Sequence, residues 1–204
     1  MIEQLSKKNQ PLNRRERQVQ DRRNTILSAA LQLFESKGYL ETSMEEIAET
    51  ADVARGTLYN HFESKAEVLL ALTDSVAMQW LAKGHKELAL SHSASNAIRE
   101  VLSAAAEWFD KHPASAKAFC FAMREHIAKQ NTAMPPRSLT PIDFVKKAQE
   151  DGELTPELAP ELLIHIFDSI LKQHLIAVLN ETKHTQFAKE ARREIDVLLK
   201  KLAP

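Results

Sequence analysis

The chain has 204 residues, 44% of them apolar, and a formal net charge of −1, which bounds it to one or two globular domains with a real core. No run of about eighteen apolar residues is present, so no membrane-spanning helix is expected, and the N-terminus lacks the apolar stretch of a secretory signal. Cys120 is the sole cysteine, which excludes an intrachain disulfide and makes a cytoplasmic protein the expectation.

Apolar residues recur at helical spacing along almost the whole chain, and no segment alternates with period two. An all-α protein of nine or ten helices is therefore predicted. Residues 1–23 hold Lys7, Lys8, Arg14, Arg15, Arg17, Arg22 and Arg23 against Glu3, Glu16 and Asp21. This basic segment reads either as an arm or as an extension of the first helix. Asn13 followed by Glu16 has the spacing of an N-terminal capping box, which leaves the polar run up to Ile26 open as helix or flexible arm. The first helix carries Ile26, Leu27, Ala30, Leu33 and Phe34 and ends before Gly38. Ser43 with Glu46, and Ser64 with Glu67, are two further capping boxes that fix the starts of the second and fourth helices.

The fourth helix is predicted from Ser64 toward Leu90, with an interruption at Gly84. A loop over SHSAS follows, then a helix over Ser95 to Lys111, stopped at Pro113, and another over Ala114 to Lys129. Adjacent prolines make residues 131–138 a loop. A short helix over Pro141 to Glu150 ends at Gly152. A long one begins at Pro156 or Pro160 and reaches Leu179, and a last one covers Gln186 to Leu202.

The densest information lies between Thr42 and Leu72. Placed on a helical wheel, Leu58 and Phe62 share one side of a short helix over Ala54 to Phe62, while Gly56 and Asn60 point away. Thr57 and Tyr59 flank them, and Arg55 reaches round on its long stem. Ile47, Ala48 and Ala51 share a face of the preceding helix, and Val53 sits where it plugs the angle between the two. This is the packing of a helix-turn-helix. Glycine in a short helix costs about 1 kcal/mol relative to alanine, a cost explained if something large approaches the backbone there. Arginine pairs bidentately with guanine and asparagine with adenine in the major groove. Thr42, Ser43 and Lys65 lie at helix N-termini, where free N–H groups favour a phosphate. A plain helical hairpin that binds a protein is the alternative.

The strings ILSAALQLFESKGYLETSMEEIA and GTLYNHFESKAEVLLAL resemble the DNA-binding domain of the tetracycline-repressor (TetR) family of bacterial transcription regulators. The resemblance covers roughly residues 22–72. It implies a helix-turn-helix domain over 22–68 and a helical ligand-binding and dimerisation domain over 69–204. It places Thr42, Ser43, Arg55, Gly56, Thr57, Tyr59, Asn60, His61 and Lys65 at positions that contact DNA. Where family members often have glycine, valine and serine in the turn, this chain has Asp52, Val53 and Ala54. Aspartate tolerates a left-handed backbone, whereas Ala54 removes a hydroxyl cap from the recognition helix.

The resemblance further implies a repressor that binds a palindromic operator as a homodimer and is released by a small, apolar molecule. Ile166, Ile170, Leu171, His174 and Val178, with Ile195, Leu198 and Leu202, form apolar stripes able to build a four-helix bundle across a two-fold axis. Trp80, Trp108, Phe109, Phe119, Phe121, Met123, His126 and Phe144 are core residues in the bland reading and ligand contacts in the family reading. No P-loop, dinucleotide motif, nucleophile elbow or metal-ligand spacing is found, so no cofactor and no metal are expected. The rival readings are a helical small-molecule-binding protein or enzyme without DNA function, and a redox-sensing regulator using Cys120.

Overall fold

The computed structural model describes residues 13–118, 140–179 and 187–204, with the side chains of 174–179 excepted. The described residues are helical throughout, with no strand. They form α1 (Arg14–Lys37), α2 (Met44–Thr50), α3 (Arg55–His61), α4 (Lys65–Ser91), α5 (Ala94–Lys111), α6 (residues 113–118), α7 (Ile142–Glu150), α8 (Pro160–Leu179) and α9 (Phe187–Leu202). Cys120, Phe119, Phe121, Met123 and His126 lie outside the described residues, as do the side chains of His174 and Val178.

Two capping boxes form in full. Asn13 and Glu16 cap α1, and Ser43 and Glu46 cap α2, each side chain accepting from the other's backbone N–H. At α4 only half the box exists. Ser64 Oγ accepts from the Glu67 N–H, but the Glu67 carboxylate reaches one residue further back, to the Glu63 N–H at 2.6 Å.

The first three helices and the start of α4 enclose one end of the core, built on Ile26, Phe34, Ile47, Leu58, Phe62 and Leu69. α5 is the hub of the rest and packs against α4, α7, α8 and α9. Its run Ala104–Ala106 is buried and lets neighbouring helices approach closely. The predicted break at Gly84 does not occur: α4 runs through it without interruption. A Cβ at this position would stand 2.4 Å from Val101 Cγ2 and 2.8 Å from Phe144 Cε2. The missing side chain is thus the condition for α4 to meet α5 and α7, and helical continuity costs only the ordinary glycine penalty. The loop expected over SHSAS is correspondingly short, since α4 ends at Ser91 and α5 starts at Ala94. Glu153 secures that start, its carboxylate accepting from Ser93 Oγ and from the N–H groups of Ala94 and Ser95.

Among the described residues, α4 itself joins the helix-turn-helix end to the rest. So does the carboxylate of Glu35, on α1, which accepts the Ser115 N–H of α6 at 2.7 Å.

Candidate nucleic-acid interface

The turn between α2 and α3 forms as Asp52 allows. Asp52 has φ 51°, in the left-handed region, and Val53 N–H donates to Ala48 O at 3.0 Å while its side chain packs on the core. Ala54 provides the extended residue before α3 but no side-chain cap; its carbonyl accepts the Thr57 N–H at 2.8 Å. Leu58 and Phe62 are fully buried, and they fix which side of α3 faces out.

The outward side carries Arg55, Gly56, Tyr59 and Asn60, all exposed, with Thr57 and His61 half-buried at its margins. Nothing lies within 4 Å of where a Gly56 Cβ would be, so packing within the chain does not explain this glycine. The Arg55 guanidinium pairs with Glu45 of α2. Ten residues and a turn separate the two, and no periodicity in the sequence marks Glu45 as its partner. Both groups are largely exposed, so water competes with the pair and its hold is slight.

Three residues expected at DNA have work inside the chain instead. Thr42 is buried, and its hydroxyl donates to Gly38 O at 2.8 Å. Ser43 spends its hydroxyl and its N–H on Glu46. Lys65 directs its ammonium at the carbonyls of Tyr39 (2.6 Å), Leu40 (3.1 Å) and Thr42 (2.6 Å), and it lies over the Tyr39 ring. Burial pushes this ammonium below the usual lysine value, with Glu41 acting in the other direction. An ammonium has three protons to donate, and these carbonyls take all of them. The Lys65 ammonium therefore ties the start of α4 to the α1–α2 turn. Glu46, bonded by Lys37 and by Ser43, is held at about 2, well below the carboxylate range.

The first half of α1 projects beyond this core. No residue from Arg14 to Thr25 is buried, and within that stretch only Arg23 is even half-covered, its guanidinium 4.4 Å over the Phe62 ring. The basic N-terminal segment, from Arg14 onward, is thus a helix extension.

Trp80, Trp108 and Phe109 meet edge to face, with ring centroids 5.6–6.0 Å apart. Trp80, Phe109 and Phe144 are buried, and Trp108 is partly so. On the far side, α8 and α9 leave an open groove of about 640 Å³ in which Ile166, Ile170, Val197 and Leu198 are rimmed by Glu190, Arg193, Glu194 and Lys201. The expected dimer stripe needs correction there. Leu171 and Ile195 are fully buried in their own subunit and are closed to a partner. Leu162 and Val197, 46% and 54% exposed, stand on the outer side instead, while Ile166, Leu198 and Leu202 are half-buried.

A sequence model of the family described as "Bacterial regulatory proteins, tetR family" matches residues 26–72, the span that builds the helix-turn-helix. The transcriptional regulator UidR of Escherichia coli K12 is 25% identical over 175 residues, 85% of this chain and 88% of that one. TtgR of Pseudomonas putida is 40% identical over 65 residues, 32% of this chain and 31% of that protein. Among solved structures, the regulator FadR of Bacillus subtilis in complex with stearoyl-CoA superposes with a TM-score of 0.65 at 19% identity, covering 88% of this chain and 96% of that one. The helix-turn-helix geometry, the family match over that same geometry and a regulator aligned over most of its length converge: residues 26–72 carry the DNA-binding domain of the tetR family of bacterial regulatory proteins, in a chain similar to a transcriptional regulator along most of its length.

Proposed function

We propose that the chain is a repressor that binds a palindromic operator in double-stranded DNA as a homodimer and is released when a small, apolar molecule settles among its middle helices. Residues 22–68 supply the DNA reader, and residues 69–204 supply the effector and dimer surfaces. One observation carries the DNA half of this reading. α3 buries Leu58 and Phe62 and turns outward a surface of Arg55, Gly56, Tyr59 and Asn60 that is open at the glycine. A helix laid in the major groove needs such a surface: donors and acceptors for base edges, with close backbone approach.

The groove between α8 and α9 supports the homodimer. Ile166, Ile170, Leu162, Val197 and Leu198 offer an apolar face that a second copy covers across a two-fold axis. Two recognition helices then read two half-sites. The aromatic group of Trp80, Trp108, Phe109 and Phe144 supports an apolar effector. The stearoyl-CoA in the solved relative makes acyl thioesters the first compounds to try. α4 begins beside α3 and passes those aromatics at Trp80 and Gly84 before it ends at Ser91, so a tilt at its far end respaces the two recognition helices. Coupling of about 1–3 kcal/mol changes operator affinity roughly 5–150-fold.

Selection of bound duplexes from a random library tests the reading. A palindrome with two half-sites about one helical turn apart is the expected product. No enrichment of any duplex over heparin at moderate salt overturns it. Thermal-shift titration with acyl thioesters tests the effector: a compound that raises Tm is expected to lower duplex affinity.

A further inference from the structure

The outward half of α1 adds nothing to the core beyond Arg23, which lies over the Phe62 ring. From Arg14 to Thr25 it runs roughly 18 Å at 1.5 Å per residue without burying a side chain. A stretch with so little apolar contact gains little from being ordered, yet a full capping box holds its start. It carries Arg14, Arg15, Arg17, Arg22 and Arg23 against Glu16 and Asp21, and Glu16 is committed to the cap.

One side of this projection faces the helix-turn-helix across an open groove. Arg15, Gln18 and Arg22 line one wall, and Val53 and His61 line the other. Arg15 and Arg22 are seven residues apart, so they share a face about 10 Å apart along the axis. That is the axial span of about three phosphates on one strand at 3.4 Å each. His61 adjoins Asn60, so the groove is continuous with the outward surface of α3. Asp21 and Asp52 also line it, which leaves its attraction for anions to the arginines.

We propose that this half of α1 is a backbone clamp. Arg15 and Arg22 grip phosphates of the duplex beside the base pairs that α3 reads, and the groove between α1 and the turn receives that strand. The inference rests on the DNA-binding reading above. It adds a sequence-independent, salt-sensitive contact that lengthens the footprint. Both side chains are exposed, so replacing them leaves folding intact.

The test uses the full chain and a duplex recovered by selection, together with a random duplex, in titrations from 50 to 200 mM salt. The variants are R15Q/R22Q and R15K/R22K. For the glutamine pair the slope of log K against log salt is expected to fall by about 1.8 per bound subunit, at about 0.9 per phosphate contact. Across that salt range this changes affinity relative to the parent about twelvefold per subunit. The loss is the same on both duplexes, so the specificity ratio holds, and the lysine pair restores most of the slope. A glutamine pair with the parent's slope and affinity overturns the clamp while leaving the reader intact. So does an Arg15- and Arg22-dependent affinity for anionic vesicles with no change on duplex. A parent chain that prefers no duplex sinks the DNA-binding reading itself.

Discussion

Replacing Gly56 by alanine sets fold stability and DNA binding against each other. A Cβ there meets nothing within 4 Å, and the residue lies in the first turn of α3. The added methyl therefore relieves the glycine penalty without crowding the chain, a gain of about 0.5–1 kcal/mol. In a protein of this size that is a rise in Tm of about 1–4 °C at fixed protomer concentration. Against DNA the sign reverses. The methyl stands on the outward side of the helix and holds the backbone away from the groove. At the usual cost of overpacking a close contact, about 1–3 kcal/mol, affinity drops roughly 5–150-fold. The assay pairs a thermal melt with fluorescence-anisotropy titration of a selected duplex. Gly84→Ala is the contrast: its Cβ would press on Val101, Phe144 and, at 3.2 Å, the Ala97 carbonyl, so Tm is expected to fall. A Gly56→Ala protein that melts higher and binds as tightly as its parent refutes the claim that nucleic acid comes close to this backbone.

Three further predictions concern the same end of the molecule. Tyr59→Ala is expected to weaken binding to all duplexes alike, whereas Asn60→Ala relaxes preference at one base pair by about 1–3 kcal/mol; equal losses for both variants on random DNA would contradict that division of roles. Lys65→Met strands the carbonyls of Tyr39, Leu40 and Thr42 and is expected to cost about 1–3 kcal/mol in urea unfolding, an effect that a lysine reserved for phosphate would not show. Glu46, held at about 2 by Lys37 and Ser43, has a lower pKa folded than unfolded, so its contribution is complete above about pH 4.5 and is lost as pH falls toward 2; urea midpoints of the parent and of Glu46→Gln should converge across that window.

The helix count, two complete capping boxes and the helix-turn-helix were legible because each is local: a cap spans three residues, and the α3 wheel needs only Leu58 and Phe62 to fix its orientation. What was not legible has one physical root, since sequence does not show which neighbour claims a group first. Thr42, Ser43 and Lys65 carry the chemistry that binds phosphate at helix starts, yet Gly38, Glu46 and three carbonyls already occupy their donors. Gly84 read as a break because a glycine that ends a helix and one that admits another helix look alike in one dimension. Leu171 and Ile195 belong to apolar stripes wider than a single contact. The inner rows go to the subunit's own core, and Leu162, Ile166, Val197, Leu198 and Leu202 remain at the rim among the described side chains.

The chain's two tryptophans are the edge-to-face neighbours Trp80 and Trp108, and its two tyrosines, Tyr39 and Tyr59, both lie in the helix-turn-helix end. Indole emission therefore reports on the helices beyond the helix-turn-helix, while phenol signals report on the helix-turn-helix end. One sample followed at two wavelengths shows whether the halves melt as a unit or in succession, with no label attached.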